Sequence, residues 1–398
     1  MLKVLSIFGT RPEAIKMAPL IQKMAVRQAD FTSQVCITAQ HRQILDQVLD
    51  LFHIVPDYDL NVMEIDQSPT QVAAAVLSKL EPVLKKERPD WVLVQGDTTS
   101  TATAALAAFH ARAKVGHVEA GLRTGDKWQP FPEEINRRIT SLIADLHFAP
   151  TEQSQRNLLK EGVPQDRILV TGNPGIDALH WALRHEPPQE FMALLQQLGL
   201  NNVPTRPDIN HRPPAQSRIK SQGHAPKLIL VTSHRRENFG QPLENICAAL
   251  LTIAREYEGQ ARIIFLSHPN PNVGNSVHRM IGGLSGISLI PPLDYVSMAH
   301  LLNTCHLVVT DSGGLQEEAT CLGKPTLVIR EVTDRPESVY AGTARVVGTE
   351  SEAITRQIAR LLEDEVEYRA MAKAESVYGS GQASKKIIDA LLSLQYSG

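Results

Sequence analysis

Three carboxylates stand where apolar runs of the sequence end. Asp97 lies in Val94-Gln95-Gly96-Asp97-Thr98-Thr99, between a hydrophobic run and the helical stretch STATAALAAF. Glu119 closes the next apolar run in GHVEAGLRT, and Glu133 opens a helix in FPEEINRR. If the runs are neighbouring parallel strands, these acids converge at one sheet edge. A partly desolvated carboxylate near another acid holds its proton close to neutral pH, so one group donates while its neighbour accepts. Acid/base catalysis is therefore the chemistry they offer. Each has a structural alternative: an internal salt bridge from Glu119 to Arg123, and helix capping by Asp97 or Glu133. His117 either orients one of the acids or is a hydrogen-bonded core residue.

A second set of residues suits an anion. The turn Phe8-Gly9-Thr10-Arg11-Pro12-Glu13 leads into AIKMAPLIQKMA, where backbone N–H groups, Arg11 and Lys16 gather positive charge at a strand-to-helix junction. Thr310-Asp311-Ser312-Gly313-Gly314 follows another apolar run and opens a helix carrying Glu317 and Glu318. There the glycines admit close approach, the Ser312 hydroxyl and the helix amides fit a diphosphate, and Glu318 can accept from ribose hydroxyls. The alternatives are a tight turn capped by Ser312 or Asp311, and a solvated helix acid at Glu318. His234-Arg235-Arg236-Glu237-Asn238, His268-Pro269-Asn270-Pro271 and Arg335 add basic or polar groups, again at expected strand exits.

The elements that must position these groups are legible as short, continuous apolar runs separated by helical periodicity. Val4–Phe8, Val35–Thr38, Trp91–Gln95, Val115–Glu119 and Ile168–Thr171 form a first set. Leu228–Thr232, Ile263–Ser267, Ile287–Ile290, Leu307–Thr310, Thr326–Ile329 and Arg345–Val347 form a second. Continuous rather than alternating apolar strands indicate parallel sheets covered on both faces, giving an α/β fold with two doubly wound, Rossmann-like domains in series. The expected division is 1–200 for the domain bearing the acids, 201–226 for a polar, proline-rich linker or insertion, 227–375 for the nucleotide-binding domain, and 376–398 for a terminal helix that can pack back on the first domain. Ile135, Ile139, Leu142, Ile143 and Leu146 make an apolar stripe on the helix that Glu133 opens.

With 40 basic and 43 acidic residues, a formal charge of -3 provides no field for a polynucleotide. The apolar start runs directly into a glycine turn rather than a cleavage site, and no run approaches the roughly 20 apolar residues of a membrane span. A soluble, cytoplasmic protein is expected, with neither nucleic acid nor membrane as partner. The four cysteines lie far apart in apolar contexts and are read as reduced core residues. No CxxC, HExxH or GxSxG string occurs and the histidines are scattered, so no metal site is expected.

The strings GTRPEAIKMAPL, AQHRQILD, QGDTTS, GHVEAGLRTGD, FPEEINR, TSHRREN, HPNPNV, TDSGGLQEEA, LGKPTLVIR and TDRPE, in that order, span nearly the whole chain. Together they resemble the bacterial non-hydrolysing UDP-N-acetylglucosamine 2-epimerases, which have the glycosyltransferase-B arrangement of two domains. The resemblance implies that Asp97, Glu119 and Glu133 are the acid/base groups, with His234 beside the sugar-phosphate bond. It implies uridine-diphosphate contacts from Arg11, Ser312-Gly313-Gly314, Glu318 and Arg335, with His234 and the Lys16 charge nearby. The reaction it implies removes the C2 proton, eliminates UDP to 2-acetamidoglucal and re-adds UDP with protonation on the opposite face, with no NAD or other cofactor required. A second UDP-N-acetylglucosamine acting as activator near Gln40, His41 and Gln43, a homodimer, and a place in surface polysaccharide synthesis are further implications. Two departures stand out: Pro174-Gly175 where the family often has Thr-Val, and Met298 where an aromatic commonly faces the uracil. A 2-epimerase for a modified UDP-sugar such as a diacetamido uronic acid, a glycosyltransferase, and a nucleotide-sugar sensing module are the competing readings.

Overall fold

The computed structural model describes residues 1–39, 42–64, 67–200, 226–267 and 271–395. The chain divides into two compact units, one comprising Met1–His180 with the segment from Tyr378 onward, the other Trp181–Val377. Each is built on a parallel sheet flanked by helices.

The first unit contains β1 (Leu2–Phe8), β2 (Phe31–Ile37), β3 (Tyr58–Asp59), β4 (Trp91–Gln95), β5 (Lys114–Val118), β6 (Leu146–Ala149) and β7 (Ile168–Val170), in the order β3-β2-β1-β4-β5-β6-β7. The second contains β8 (Lys227–Thr232), β9 (Ala261–Leu266), β10 (Ile287–Ile290), β11 (Leu307–Thr310), β12 (Thr326–Val328) and β13 (Ala344–Val346), in the order β10-β9-β8-β11-β12-β13. Every pairing is parallel. In both sheets the winding reverses beside the unit's first strand, between β1 and β4 and between β8 and β11. Loops leaving the carboxyl ends at such a reversal diverge to opposite faces and open a crevice.

The strands are nearly continuous Val, Ile and Leu because both faces are covered. Leu5, Ile7, Val92 and Val94 bury into one apolar cluster of the first unit. In the second unit Ile229, Val231, Val309 and Leu327 bury on one side, and Leu228, Leu230, Ile264 and Val308 on the other.

Four features correct the sequence reading. The expected boundary at residue 200 falls between His180 and Trp181, because Phe191, Leu195 and Leu200 bury with Leu228, Leu230 and Leu301 of the second core. Leu146 belongs to strand β6, not to the helix Glu133–Ile143; Asp145 donates from its N–H to the Val115 carbonyl at 2.8 Å and turns the chain into the sheet. Most of the stripe on that helix faces outward, with Leu142 88% exposed and Ile135 and Ile139 also exposed, whereas Ile143 packs on the core and Glu134, Arg137, Thr140 and Ser141 are buried. Strand β3 was not anticipated at all. The polar linker at 201–226 lies, apart from Pro226, outside the described residues.

The helix Ala383–Gln395 packs on the helix Arg11–Ala25 of the first unit. Asp177 receives the Ala383 and Ser384 amides at 3.1 and 3.0 Å, ending the return segment as a helix cap. All four cysteines are free and buried; burial pushes Cys36 and Cys247 up to about 12, so they carry no thiolate at neutral pH.

Three histidines are held neutral by burial, which lowers His117 to about 4, His147 to about 3 and His306 to about 4. Unfolded histidines take up protons below about pH 6.5. These sites therefore do not cost stability above that pH, and the unfolded chain gains on the folded one as pH falls from there towards 4. Unfolding free energies from denaturant titrations should hold steady from pH 8 to 7 and then drop, by about 2–3 kcal/mol for each buried histidine at pH 4.5; a value unchanged between pH 7 and 4.5 would contradict this.

Candidate active site

At the reversal point of the first unit, β1 ends in Phe8 and the chain turns through Gly9 and Thr10 into the helix Arg11–Ala25. Gly9 is required by close packing, since a Cβ there would fall 1.9 Å from the Thr38 hydroxyl. The backbone amides of this turn are not left for a ligand. Gly9 and Thr10 donate to Glu13 Oε2 at 2.7 and 2.8 Å, and Thr98 and Thr101 hydroxyls donate to Glu13 Oε1 at 2.5 and 2.8 Å. Glu13 thus ties the loop after β1 to the loop after β4, and the anion position expected of these amides is filled by the protein's own carboxylate. Arg11, at the first helical position, is partly exposed.

Asp97 and Glu119 follow the adjacent strands β4 and β5. Glu119 is 5% exposed, and its backbone has φ +65°, in the left-handed region. A non-glycine residue stays there when its surroundings over-determine it. Lys16 Nζ donates to Glu119 Oε1 at 2.5 Å and Asn173 Nδ2 to the same oxygen at 2.8 Å, while Gln95 Nε2 donates to Oε2. The salt-bridge alternative for Glu119 is realised with Lys16; Arg123 instead forks onto Glu161 at 2.8 and 2.7 Å. Lys16, expected among the diphosphate ligands, is committed to this carboxylate.

The Asp97 side chain is 26% exposed and receives Arg137 Nε and Nη2 at 2.8 and 2.6 Å. Helix capping there falls to Thr98, which accepts from the Thr101 amide. Asn136 Nδ2 donates to the Asp97 carbonyl at 2.9 Å, so the helix that Glu133 opens holds the Asp97 loop. The same helix holds the loop after Glu119, because buried Glu134 receives the Thr124 and Gly125 amides at 3.1 and 3.2 Å. Glu133 is partly buried at the first position of that helix. His117 is a core residue: its Nε2 lies 2.8 Å from the Gly96 carbonyl and fixes the turn before Asp97.

In the second unit the crevice at the sheet reversal is bounded by the loops after β8 and β11. Ser312 caps the helix Gly313–Cys321, whose first-turn amides have no intrahelical acceptor. A Cβ at Gly314 would meet nothing within 4 Å, so space lies open above it. Beneath the turn, Arg335 is 5% exposed and pairs with Glu317, and with Asp334 at 2.9 Å. Its guanidinium carbon would lie 3.2 Å from a Cβ at Gly313. Arg335 therefore braces the turn, and glycine at 313 leaves room for it. Glu318 receives the Tyr295 hydroxyl at 2.9 Å. Met298 packs in the apolar core beside Leu301 and Ile290.

His234 Nδ1 lies 2.8 Å from Asp311 Oδ1. Asp311 is fully buried and also receives the His234 and Arg235 amides at 2.8 and 2.9 Å. Burial alone would push its carboxyl up; the His234 ring and these amides outweigh that and bring it to about 2. Sequence reasoning weighed Asp311 only as a cap and missed Gln95, Asn173, Arg137 and Tyr295, whose partners come from distant segments. Gln40, His41 and His268 lie outside the described residues, as do the side chains of Gln43 and Arg236.

Two Rossmann-like units, each with a parallel sheet flanked by helices and polar loops at its reversal point, make this an α/β protein of the doubly wound class. A profile of the UDP-N-acetylglucosamine 2-epimerase family matches residues 23–392. The chain is 48% identical over 396 residues to the UDP-N-acetylglucosamine 2-epimerase of Salmonella typhimurium, covering 100% of both. It is 45% identical over 391 residues to that of Bacillus subtilis, covering 98% of this chain and 95% of the relative. The Neisseria meningitidis UDP-GlcNAc 2-epimerase, solved bound to UDP-GlcNAc, superposes with a TM-score of 0.87 at 44% identity, covering 98% of this chain and 100% of that one. The chain belongs to the non-hydrolysing UDP-N-acetylglucosamine 2-epimerase family.

Replacing Lys16 with Met removes the ammonium from buried Glu119 and should cost about 3–5 kcal/mol of stability. Adding Glu119→Gln should restore part of the loss. A denaturant double-mutant cycle measures the coupling, and strictly additive effects would contradict the pairing.

Proposed function

We infer that the chain interconverts UDP-N-acetylglucosamine and UDP-N-acetylmannosamine by anti elimination of UDP to 2-acetamidoglucal and syn re-addition. Family membership over almost the full length carries this reading. C2 of a pyranose is a poor carbon acid, so abstraction of its proton must be coupled to breaking of the C1–oxygen bond. Fixed donors then take up negative charge on the departing diphosphate.

In this proposal Asp97 and Glu133 are the principal acid/base pair. Glu119, held by Lys16, Gln95 and Asn173, positions the sugar or tunes their protonation. The open turn Ser312-Gly313-Gly314 takes the diphosphate, Glu318 the ribose hydroxyls, Arg11 adds positive charge and His234 a ring nitrogen, with Arg335 acting beneath the turn. The glycosyltransferase-B arrangement of the two units belongs to the same proposal. Activation by a second UDP-N-acetylglucosamine through Gln40, His41 and Gln43 belongs to the same proposal, as does a cytoplasmic role supplying surface polysaccharide synthesis. Among the described residues no helix is long and apolar enough to cross a membrane.

In deuterated water the purified protein should place deuterium at C2 and form the manno product, both followed by NMR. Asp97→Asn and Glu133→Gln should each lower turnover about a hundredfold or more. Tight binding without exchange would support a sensing module, and near-normal turnover in both variants would remove these acids from the mechanism.

A homodimer is also proposed, supported by the outward face of the helix Glu133–Ile143. Ile135, Ile139 and Leu142 are exposed on it at helical spacing, an apolar stripe that a second copy of the chain would cover. Ile139→Glu with Leu142→Glu should halve the mass seen by light scattering; a dimer unchanged by both would move the interface elsewhere.

A further inference from the structure

The two oxygens of Asp311 have different partners. Oδ2 receives the His234 and Arg235 amides at 2.8 and 2.9 Å, Asn238 Nδ2 at 3.0 Å and the Ser233 hydroxyl at 3.4 Å, so it builds the turn after β8. Oδ1 faces His234 Nδ1 at 2.8 Å. Among the described residues Oδ1 accepts no hydrogen bond of good geometry, and this ring nitrogen is the group placed to supply one. The ring nitrogen can satisfy it only when the proton sits on Nδ1. With the proton on Nε2 instead, two lone pairs would oppose each other, and a fully buried carboxylate oxygen would have no donor at all. Asp311 is anionic throughout the neutral range, so this requirement is permanent. It leaves Nε2 as the outward nitrogen of a side chain that is 46% exposed.

We propose that Asp311 is a positioning residue that fixes the Nδ1–H tautomer and ring direction of His234, so that Nε2 is aimed at the diphosphate as it leaves C1. The proposal rests on the functional reading above. On elimination the C1–oxygen bond breaks and its electron pair stays on the β-phosphate oxygen, while the C2 proton passes to a carboxylate of the first unit. Binding of the nucleotide-sugar is accompanied by uptake of one proton from solvent on Nε2, so that Nδ1–H faces Asp311 and Nε2–H donates to that oxygen; the buried carboxylate offsets the ring charge, the arrangement by which a second partner orients a working histidine. Re-addition reverses the electron flow with no further reactant. Asp311 also joins the loops after β8 and β11, so the groups on either side of the leaving oxygen are set by one side chain.

The test uses full-length protein labelled with nitrogen-15 histidine, with long-range proton–nitrogen correlation spectra and the His234 signal assigned by its loss in His234→Gln. The unliganded ring at alkaline pH should show the Nδ1–H pattern, and UDP should convert it to the doubly protonated pattern. Asp311→Asn should abolish the Nδ1–H preference and lower kcat about ten- to a hundredfold with KM changed less than threefold, and should add little to His234→Gln. Asn238→Ala, which removes a donor to Oδ2 and leaves Oδ1 untouched, should keep the Nδ1–H pattern; it separates a loosened turn from a lost tautomer. An Nε2–H ring in the active unaltered protein overturns the positioning role, as does an unchanged ring pattern in folded Asp311→Asn. Absence of C2 exchange in the unaltered protein overturns the wider reading, and leaves the ring pattern standing as a structural pairing only.

Discussion

A carboxylate taken out of water has to be met by donors, and that requirement shapes the loops at both sheet reversals. In the first unit Glu13 gathers two amides and two threonine hydroxyls from the loops after β1 and β4. In the second, Asp311, which follows β11, receives two amides and an asparagine and pairs with a histidine, all from the loop after β8. Parallel winding leaves a crevice at each of these points; the buried acid joins its two walls. The outcome differs because the acids enter from opposite walls. Glu13 fills the amides of its own turn, whereas Asp311 points away from the glycine turn that follows it and leaves the space above Gly314 open.

The same logic extends to the acids proposed to react. Glu119 sits in a left-handed backbone conformation that three donors from β4, from the first helix and from the segment after β7 hold in place. Asp97 is fixed by Arg137, and the helix carrying Arg137 begins at Glu133. Charges committed in this way need little rearrangement when charge moves in a substrate, which is where preorganised sites gain their advantage over water. The inverted burial of that helix follows as well. Its polar face must reach Asp97 and the loop after Glu119, so Ile135, Ile139 and Leu142 are turned outward.

The strands were legible where apolar runs had sharp ends: Trp91–Gln95, Ile287–Ile290 and Leu307–Thr310 begin and stop where the run does. Leu146–Ala149 was not, because Leu146 continues a helical spacing and only the pairing of Asp145 with Val115 breaks it. Tyr58–Asp59 is too short to carry a period. The helix Gln189–Gln197 reads as the end of the first domain by position, yet its apolar face belongs to the second core, a choice that depends on which surface is available and not on the helix itself. Strand-end position singled out the candidates Asp97, Glu119, His234 and the glycine turn, which follow β4, β5, β8 and β11. Lys16, Arg335 and Asp311 show the limit of that reasoning. Charge and location placed Lys16 and Arg335 near an anion and local sequence offered Asp311 as a cap, but only the fold assigns Lys16 to Glu119, Arg335 to the underside of the turn and Asp311 to the histidine.

The chemistry assigned to this arrangement requires that the C1–oxygen bond break and re-form while the sugar is held. Substrate carrying oxygen-18 in the bridge between C1 and the β-phosphorus tests that step directly, since freed diphosphate can rotate before re-addition. The label should appear in the non-bridging β-phosphate positions of recovered UDP-sugar as epimerisation proceeds. Manno product with the label retained wholly in the bridge would show that C2 is inverted without departure of UDP and would contradict the account.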